Sequence, residues 1–470
     1  MPASVNPHPP SGAGTPSLHA EIASARALPG WAPQTGNLAE LMHRQVRTNG
    51  HSPFLTFYDD RSGERTELSY ATFDNWVAKT ANLLSEEFEA GRATRVAVAL
   101  RTHWTAVVVA FAAWRVGACV APIPIDLPGV SARLDELLSV VRPDVVVASE
   151  EVAGELAYGA PVVAIGGGFG GRLTTDVPGA LPYAEQVLAF GDDFEDPDVV
   201  LDDPALLVVP PWAGGGLPRA PWSGGGLPRA PWSGEGLPPD PLTTGPAGIV
   251  LDQGNLLAGA LALIDWGGLS TQDRLLSAAP LGPVDGLVLG LLAPFLCGGA
   301  SVLVGNVDPS RFARKVRDER VTWALPPGAL LDDLASVGGD ALGPLQGLLC
   351  PAGVPQPVRR AISDRTGLRV RVGHGVAAAT CASTLEPVDL DDDTSAWLDE
   401  LDGVPVGSPT TWAEVVEHRG ELCVRGPVVM AGHDGRPDLD ELAFAGGWLH
   451  TGEMGVVLPG PDGRLHALVR

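Results

Sequence analysis

Several patterns in this sequence have residue types and spacings that could do chemistry. Val162–Gly171 reads VVAIGGGFGG and contains G-x-G-x-x-G, the spacing by which a glycine turn brings a pyrophosphate to a helix N-terminus. The residues after it, RLTTDVPGALP, make a poor helix, so this segment reads as a glycine-rich loop rather than a dinucleotide fingerprint. Asp389, Asp391, Asp393 and Glu400 have EF-hand-like spacing, but Thr394 stands where the sharp turn requires glycine, which argues against a calcium site. The ten histidines form no H-x-x-H or H-E-x-x-H pair, and no G-x-S-x-G elbow occurs. His433 and His450 sit beside turns and read as ordinary barrel or surface residues. Cys119, Cys297, Cys350, Cys381 and Cys423 are widely spaced with no C-x-x-C pair. They read as buried small apolar side chains in a reducing compartment, not as disulfides or a zinc site.

Stepping from these residues to the chain that must position them, 470 residues are enough for several domains and a large core. Lys+Arg 31 against Asp+Glu 56 gives a net charge of −25, which repels phosphate backbones and disfavours nucleic acid as a partner. The N-terminus has no basic start followed by an apolar run, and the longest apolar stretches are too short to cross a bilayer. A soluble, cytoplasmic protein with no membrane partner is expected.

Along the chain, residues 1–36 are rich in Pro, Ala, Ser and Gly and read as a disordered tail. From 37 to 205, strand and helix patterns alternate, as in a mostly parallel, doubly wound α/β sheet. The acidic run 192–203 reads as solvated linker. Residues 206–240 hold a ten-residue unit present three times, PWAGGGLPRA PWSGGGLPRA PWSGEGLPP, with Trp212, Trp222 and Trp232 in register. Ten residues are too few for a packed helical repeat, so the segment is expected to be an expanded exposed loop, a neutral tandem duplication. A second α/β unit is expected over 241–384, with a helix at Gly286–Leu296. An acidic linker follows over 385–402, then a β-rich unit with glycine turns over 403–470.

An ordered set of phrases carries a resemblance. ELSYATFDNWVAKTANLL (Glu67–Leu84) and VAVALRTHWTAVVVAFAAWRVGACVAPI (Val96–Ile123) come first. LTTGPAGIVLDQGNLLAG, PLGPVDGL, FLCGGASVLV, VTWALPP, GELCVRGPVVMAGH, GGWLHTGEMGVV and GRLHALVR follow. Together they resemble the large N-terminal part of the adenylate-forming (AMP-binding) superfamily: acyl-CoA synthetases, luciferase and nonribosomal-peptide adenylation domains. The stretch from Leu38 to about Ile125 is especially similar to an actinobacterial group of AMP-binding-like proteins. The resemblance implies two α/β sheet subdomains plus a small β-barrel-like subdomain. It also implies joining of a carboxylic acid to the α-phosphate of ATP, then transfer to a thiol such as coenzyme A.

The resemblance also implies where a nucleotide would sit. The family's phosphate loop matches Thr243, Thr244 and Gly245, one spacer short and with Ala247 in place of its lysine. The adenine-contacting G-G-A-P stretch appears as Cys350-Pro351-Ala352-Gly353-Val354-Pro355, with its tight glycine pair altered. Gly373, His374 and Gly375 match the next motif, with His374 placed to stack on adenine. In that motif Ala377 replaces a phosphate-contacting threonine, and Ala378 replaces the Mg²⁺-binding glutamate. Pro283 stands at a further histidine position. Glu453, in Thr451-Gly452-Glu453, takes the place of the ribose-gripping aspartate. Arg470 matches the arginine before the family's hinge, which leads to the expectation that the mobile C-terminal lid with its lysine is absent. The acyl pocket is implied among Leu281–Leu296, Leu348–Val354 and Gly373–Thr384.

These residues point first to a catalytically impaired, pseudo-adenylating domain that binds a nucleotide, an acyl group or a partner protein. In it, ATP or AMP and Mg²⁺ are held weakly or not at all, with no catalytic or metal residue assigned. The alternative is an active ATP-dependent ligase completed by a separate C-terminal domain.

Overall fold

A computed structural model describes residues 17–29, 37–127, 129–167, 169–209, 248–281, 284–326, 330–331, 334, 342–351, 356–380, 382–387 and 389–470. The strands, in chain order, begin with β1 (Pro53–Asp59), β2 (Arg65–Ser69), β3 (Arg95–Ala99), β4 (Cys119–Pro122), β5 (Val145–Ser149), β6 (Val162–Ile165) and β7 (Leu181–Pro182). Then come β8 (Pro204–Val208), β9 (Ile249–Asp252), β10 (Arg274–Ser277), β11 (Ala300–Gly305), β12 (Trp323–Leu325), β13 (Gly347–Pro351) and β14 (Arg369–His374). The last are β15 (Thr384–Leu385), β16 (Val404–Pro409), β17 (Glu414–His418), β18 (Glu421–Arg425), β19 (Gly432–His433), β20 (Phe444–Ala445), β21 (Trp448–Pro459) and β22 (Leu465–Val469).

Two sheets result. The smaller has the order β19-β9-β8-β4-β3-β5-β6-β7, parallel from β8 to β7. The larger runs β17-β18-β21-β22-β16-β15-β14-β13-β12-β10-β11-β1-β2. Its parallel core spans β14 to β1, and the rest of it, β15 to β18 and β20 to β22, pairs antiparallel. The strand–helix alternation therefore gives the α/β fold expected.

The sheets take strands from distant stretches of the chain. β1 and β2, from the first block, form the edge of the larger sheet beside β11, while β9, from the second, pairs with β8 in the smaller sheet. Hydrophobic periodicity says which residues are strands, but pairing depends on which sheet edges meet, and periodicity carries no record of that. The repeat segment lies outside the described residues; its ends leave from Val208 and return at Ile249, which are direct cross-strand partners.

Packing centres on an aromatic cluster. Phe54 lies 5.1 Å from Tyr70, 4.8 Å from Phe73 and 4.9 Å from Phe295, and Phe111 lies 5.3 Å from Phe295. The rings come from β1, helix Tyr70–Phe88, helix Trp104–Arg115 and helix Ala293–Cys297, so they join the elements of both sheets. Helix Trp104–Arg115 is buried all round, as a helix apolar on every face must be. Its one charge, Arg115, pairs with Asp74 at 3.1 Å and with Asp196 at 2.7 Å. Asp203 is buried and pairs with Arg92 at 2.6 Å. The acidic run 192–203 is thus partly consumed by ion pairs, with the buried Arg115 and the exposed Arg92, rather than left solvated.

Three further elements depart from the sequence reading. Gly286–Leu296 was expected as one helix, but Asp285–Leu292 is a π-helix followed by α-helix Ala293–Cys297. Pro294 has no N–H to donate to the Gly290 carbonyl four residues back, and the Ser301 hydroxyl donates to it instead at 3.1 Å. The acidic 385–402 segment contains helix Asp392–Glu400, capped by Asp391. The tail 1–36 contains helix Leu18–Arg26, capped by Ser17. This helix docks on the distant chain: Gly426 N–H donates to the Ala25 carbonyl at 2.8 Å, and Gly447 N–H donates to Glu21 at 2.5 Å.

Arg26 pairs with Asp252, which is fully buried. Burial raises the Asp252 pKa, and Arg26 opposes that. Replacing Arg26 with Ala leaves this carboxylate without its cation. The expected loss is ~2–4 kcal/mol in urea-unfolding stability, as for a broken buried ion pair. A loss under ~0.5 kcal/mol, the usual size for surface changes, would show that the helix is not integral to the fold.

Candidate functional site

The implied nucleotide residues are positioned from three directions. β14 ends on Gly373-His374, whose backbone pairs with Leu385 and Thr384 of β15. A Cβ at Gly373 would come within 2.7 Å of Leu385 Cδ2, so any larger residue here would have to displace the Leu385 side chain. Gly375 follows, and the turn Ala377–Ala379 then ends on Thr380, in left-handed backbone.

Segment 427–434 ties this turn to the smaller sheet. Met430 N–H donates to the Ala378 carbonyl at 2.8 Å and Ala431 N–H to the Val250 carbonyl at 2.9 Å. β19 then pairs with β9, and Asp434 N–H donates to the Gly248 carbonyl at 2.8 Å. Gly248 is the first described residue after the implied phosphate loop. Thr243, Thr244 and Gly245 themselves lie outside the described residues, as do Pro283, Gly353, Val354 and Pro355. Segment 427–434 therefore bridges β9 and the 373–380 segment.

Two side chains fix that stretch. Asp252 and Asn255 form a reciprocal cap on helix Gln253–Gly267. The Asn255 amide also donates to the Pro427 and Val429 carbonyls at 2.8 and 2.7 Å. Asp434 accepts from Arg95 at 2.9 and 2.7 Å and from Arg142 at 3.0 Å. Burial works to raise the Asp434 pKa, but the two guanidiniums outweigh it and hold the carboxyl below its ordinary 3.8. Neither residue was singled out from sequence; Asp252-x-x-Asn255 at a strand–helix junction is a readable cap signal.

Glu453 sits on an irregularity in β21. Glu421 of β18 faces Met454 while Cys423 faces His450, so the stretch between them on β21 is longer and must bulge. The bulge is Thr451-Gly452-Glu453. The Thr451 hydroxyl donates to the Leu422 carbonyl at 2.6 Å and accepts from Glu453 N–H at 3.1 Å. Gly452, at φ +75°, donates its N–H to Glu421 Oε1 at 2.8 Å. Glu453 itself is half-buried. Arg470 is exposed, and its N–H donates to the Met454 carbonyl at 2.9 Å, so Glu453 and Arg470 are neighbours across β21 and β22. In the larger sheet, β22, β16 and β15 lie between β21 and β14, which carries Gly373 and His374.

A half-buried carboxylate on a rigid bulge can accept two hydroxyl hydrogen bonds, which suits a ribose. Magnesium is different. It demands hard oxygen ligands in octahedral array, and the Val376–Thr380 turn offers only alanines, valine and one hydroxyl. That hydroxyl, Thr380 Oγ1, is buried with no hydrogen-bond partner among the described residues, beside Gly259. The residues present fit a nucleoside better than a metal–phosphate complex.

Asp434→Asn should cost ~1–3 kcal/mol in urea unfolding at pH 7, since charged hydrogen bonds are lost. The folded pKa of Asp434 lies below its ordinary value, so its contribution is full above about pH 4 and fades as pH falls through the folded pKa. Variant and wild-type stabilities should therefore converge in strong acid. A gap unchanged down to acid unfolding would refute the charge pairing.

Comparison with known proteins gives the family and the fold. The model of the AMP-binding enzyme family matches residues 42–206 and 243–433. A Mycobacterium tuberculosis protein is 33% identical over 286 residues, covering 61% of this chain and 96% of that protein. Feruloyl-CoA synthase of an Amycolatopsis species is 30% identical over 239 residues, 48% of this chain and 47% of the synthase. The chain thus matches about half the length of that curated ligase. Among solved structures, the N-terminal domain of FACL13 from Mycobacterium tuberculosis aligns with TM-score 0.72 at 16% identity, over 92% of this chain and 99% of that one. ATP-bound MatB from Rhodopseudomonas palustris aligns with TM-score 0.70 at 19% identity, over 92% of this chain and 79% of that one. At such identities the structures speak for the fold alone. With its family model matched across both sheets, the chain belongs to the AMP-binding enzyme family, the acyl-CoA synthetase-like, adenylate-forming ligases.

Proposed function

We propose that this chain keeps a nucleotide-binding frame but is impaired in forming acyl-adenylates, and that it acts in the cytoplasm by binding a nucleotide, an acyl group or a partner protein. The observation that carries the reading is the turn at Ala377 and Ala378. The resemblance puts a phosphate-contacting threonine and a Mg²⁺-binding glutamate there. The Ala378 backbone is pinned by Met430, so the frame of the site persists while its charged ligand is gone. Ala247, at the lysine position of the phosphate loop, removes a second compensating group. Groups of this kind each contribute about 10²–10⁴ in rate, so losing both leaves little turnover even with non-additivity.

Glu453 supports retained binding. Its carboxylate would accept the ribose hydroxyls, and the bulge that carries it is held by Thr451 and Glu421. The acyl group would be that of a carboxylic acid, taken into the apolar surroundings of helix Ala293–Cys297 and the π-helix before it. The same intact bulge favours one alternative: an active ligase that borrows a separate C-terminal domain.

Calorimetry on the full chain tests the proposal. AMP should bind, and Glu453→Ala should weaken it by about tenfold or more, the worth of a charged hydrogen bond. ATP binding should be nearly indifferent to Mg²⁺ in the wild type and become Mg²⁺-dependent in Ala378→Glu. ATP–pyrophosphate exchange with a panel of carboxylic acids should stay at background. Robust carboxylate-dependent exchange by the purified chain overturns the impaired reading, and restored exchange on adding a stand-alone C-terminal domain establishes the alternative.

A further inference from the structure

Glu421, Cys423 and His450 come together on one face of the β17-β18-β21 ribbon. The register places Cys423 directly opposite His450. Glu421 is two residues before Cys423 on the same strand, so strand alternation gives both the same face. His450 Nδ1 lies 2.8 Å from Glu421 Oε2 and 3.6 Å from Cys423 Sγ. One ligand atom from each residue lies within 4.8 Å of both others. His418 pairs with Glu421 across the β17–β18 hairpin, and its ring centroid is 6.2 Å from that of His450. None of these residues belongs to the implied nucleotide set.

We propose that Glu421 Oε2, Cys423 Sγ and His450 Nδ1 bind a thiophilic divalent transition-metal cation, with zinc(II) the best fit. The donor set decides the class. A thiolate and an imidazole are poor ligands for Mg²⁺ or Ca²⁺ and good ones for zinc. Zinc bonds of about 2.0–2.3 Å in a tetrahedron put nitrogen and sulfur about 3.6 Å apart, which is the separation present. The nitrogen–oxygen pair must open by about half an ångström to reach tetrahedral spacing.

The surroundings suit such a site. Glu421 Oε1 accepts the Gly452 N–H, which orients the carboxylate so that Oε2 faces the other two ligands. Cys423 is buried, while His450 and Glu421 are partly exposed at 23% and 18%, which leaves an entry path. Three protein ligands leave a fourth position for water, with His418 at its rim. Binding displaces the thiol proton and the proton shared by Nδ1 and Oε2 into solvent, and no oxidant or reductant is needed. Under this proposal Cys423, buried as a small side chain should be, and His450, a residue of the β-rich unit, would also act as ligands. The ligands come from distant positions joined by strand pairing, so no C-x-x-C or H-x-x-H spacing announces them. The proposal needs no nucleotide and stands apart from the adenylate reading.

Cobalt(II), then zinc(II), titrated into the reduced full-length chain tests it. One equivalent of cobalt should bind with a thiolate-to-metal charge-transfer band that zinc abolishes. Cys423→Ser should lose the band, Glu421→Gln should weaken binding by about tenfold or more, and Cys297→Ser should change neither. X-ray absorption on the zinc-loaded wild type needs no variant and should show one sulfur among nitrogen and oxygen neighbours. No saturable binding, a charge-transfer band that persists in Cys423→Ser, or a zinc shell without sulfur would each overturn the site and leave the cluster a hydrogen-bonded triad.

Discussion

Backbone amides buried away from water must find partners, and in segment 427–434 that requirement holds the protein's three parts together. Asn255 reaches from the start of a helix to two of its carbonyls, and its amides reach in turn to Ala378, Val250 and Gly248. The β-rich unit, the larger sheet and the smaller sheet are thereby joined through one strip of chain. The anchors beneath it are charged. Asp252 is capped and paired with Arg26, and Asp434 is gripped by Arg95 and Arg142. A candidate site assembled from loops needs such a scaffold, because loops alone cannot hold groups to within a fraction of an ångström.

The persistence of this strip beside the alanines at 377 and 378 separates two properties that a family name merges. The hydrogen bonds that shape the site are main-chain bonds or come from Asn255, Asp434, Thr451 and Glu421, not from positions 377 and 378. The framework can therefore outlast the charged ligands. Fold and chemistry answer to different residues, and a family match reports mainly on the first.

Much of this was readable in the sequence for a physical reason. The apolar runs Val96–Ala99 and Val145–Ala148, alternating with amphipathic helices, announce buried parallel strands. The ordered motifs located β14, the Thr451–Glu453 bulge and the β-rich end. What stayed hidden is what depends on meeting at a distance. Helix Leu18–Arg26 has a low-complexity neighbourhood, and its stability comes from partners at Asp252, Gly426 and Gly447. The swap of β1 and β9 between sheets is invisible to any local period. Asp196 reads as one acid in a run until Arg115 is seen buried beside it. The π-helix was closer to legible, since Pro294 cannot donate to Gly290 and the ladder must change there.

The interleaving of the two sheets bears on how the chain is made. During synthesis, β8 exposes an unpaired edge until β9 follows, and β9 in turn waits for β19, near the end of the chain. β1 likewise waits some 240 residues for β11. Until those distant strands arrive, open strand edges are available to other molecules. The connection between β8 and β9 begins and ends at paired residues, and the entropy of closing it grows only with the logarithm of its length. A longer connection there adds little to the cost of closing the native loop, and lengthens instead the time that β8 spends with an open edge.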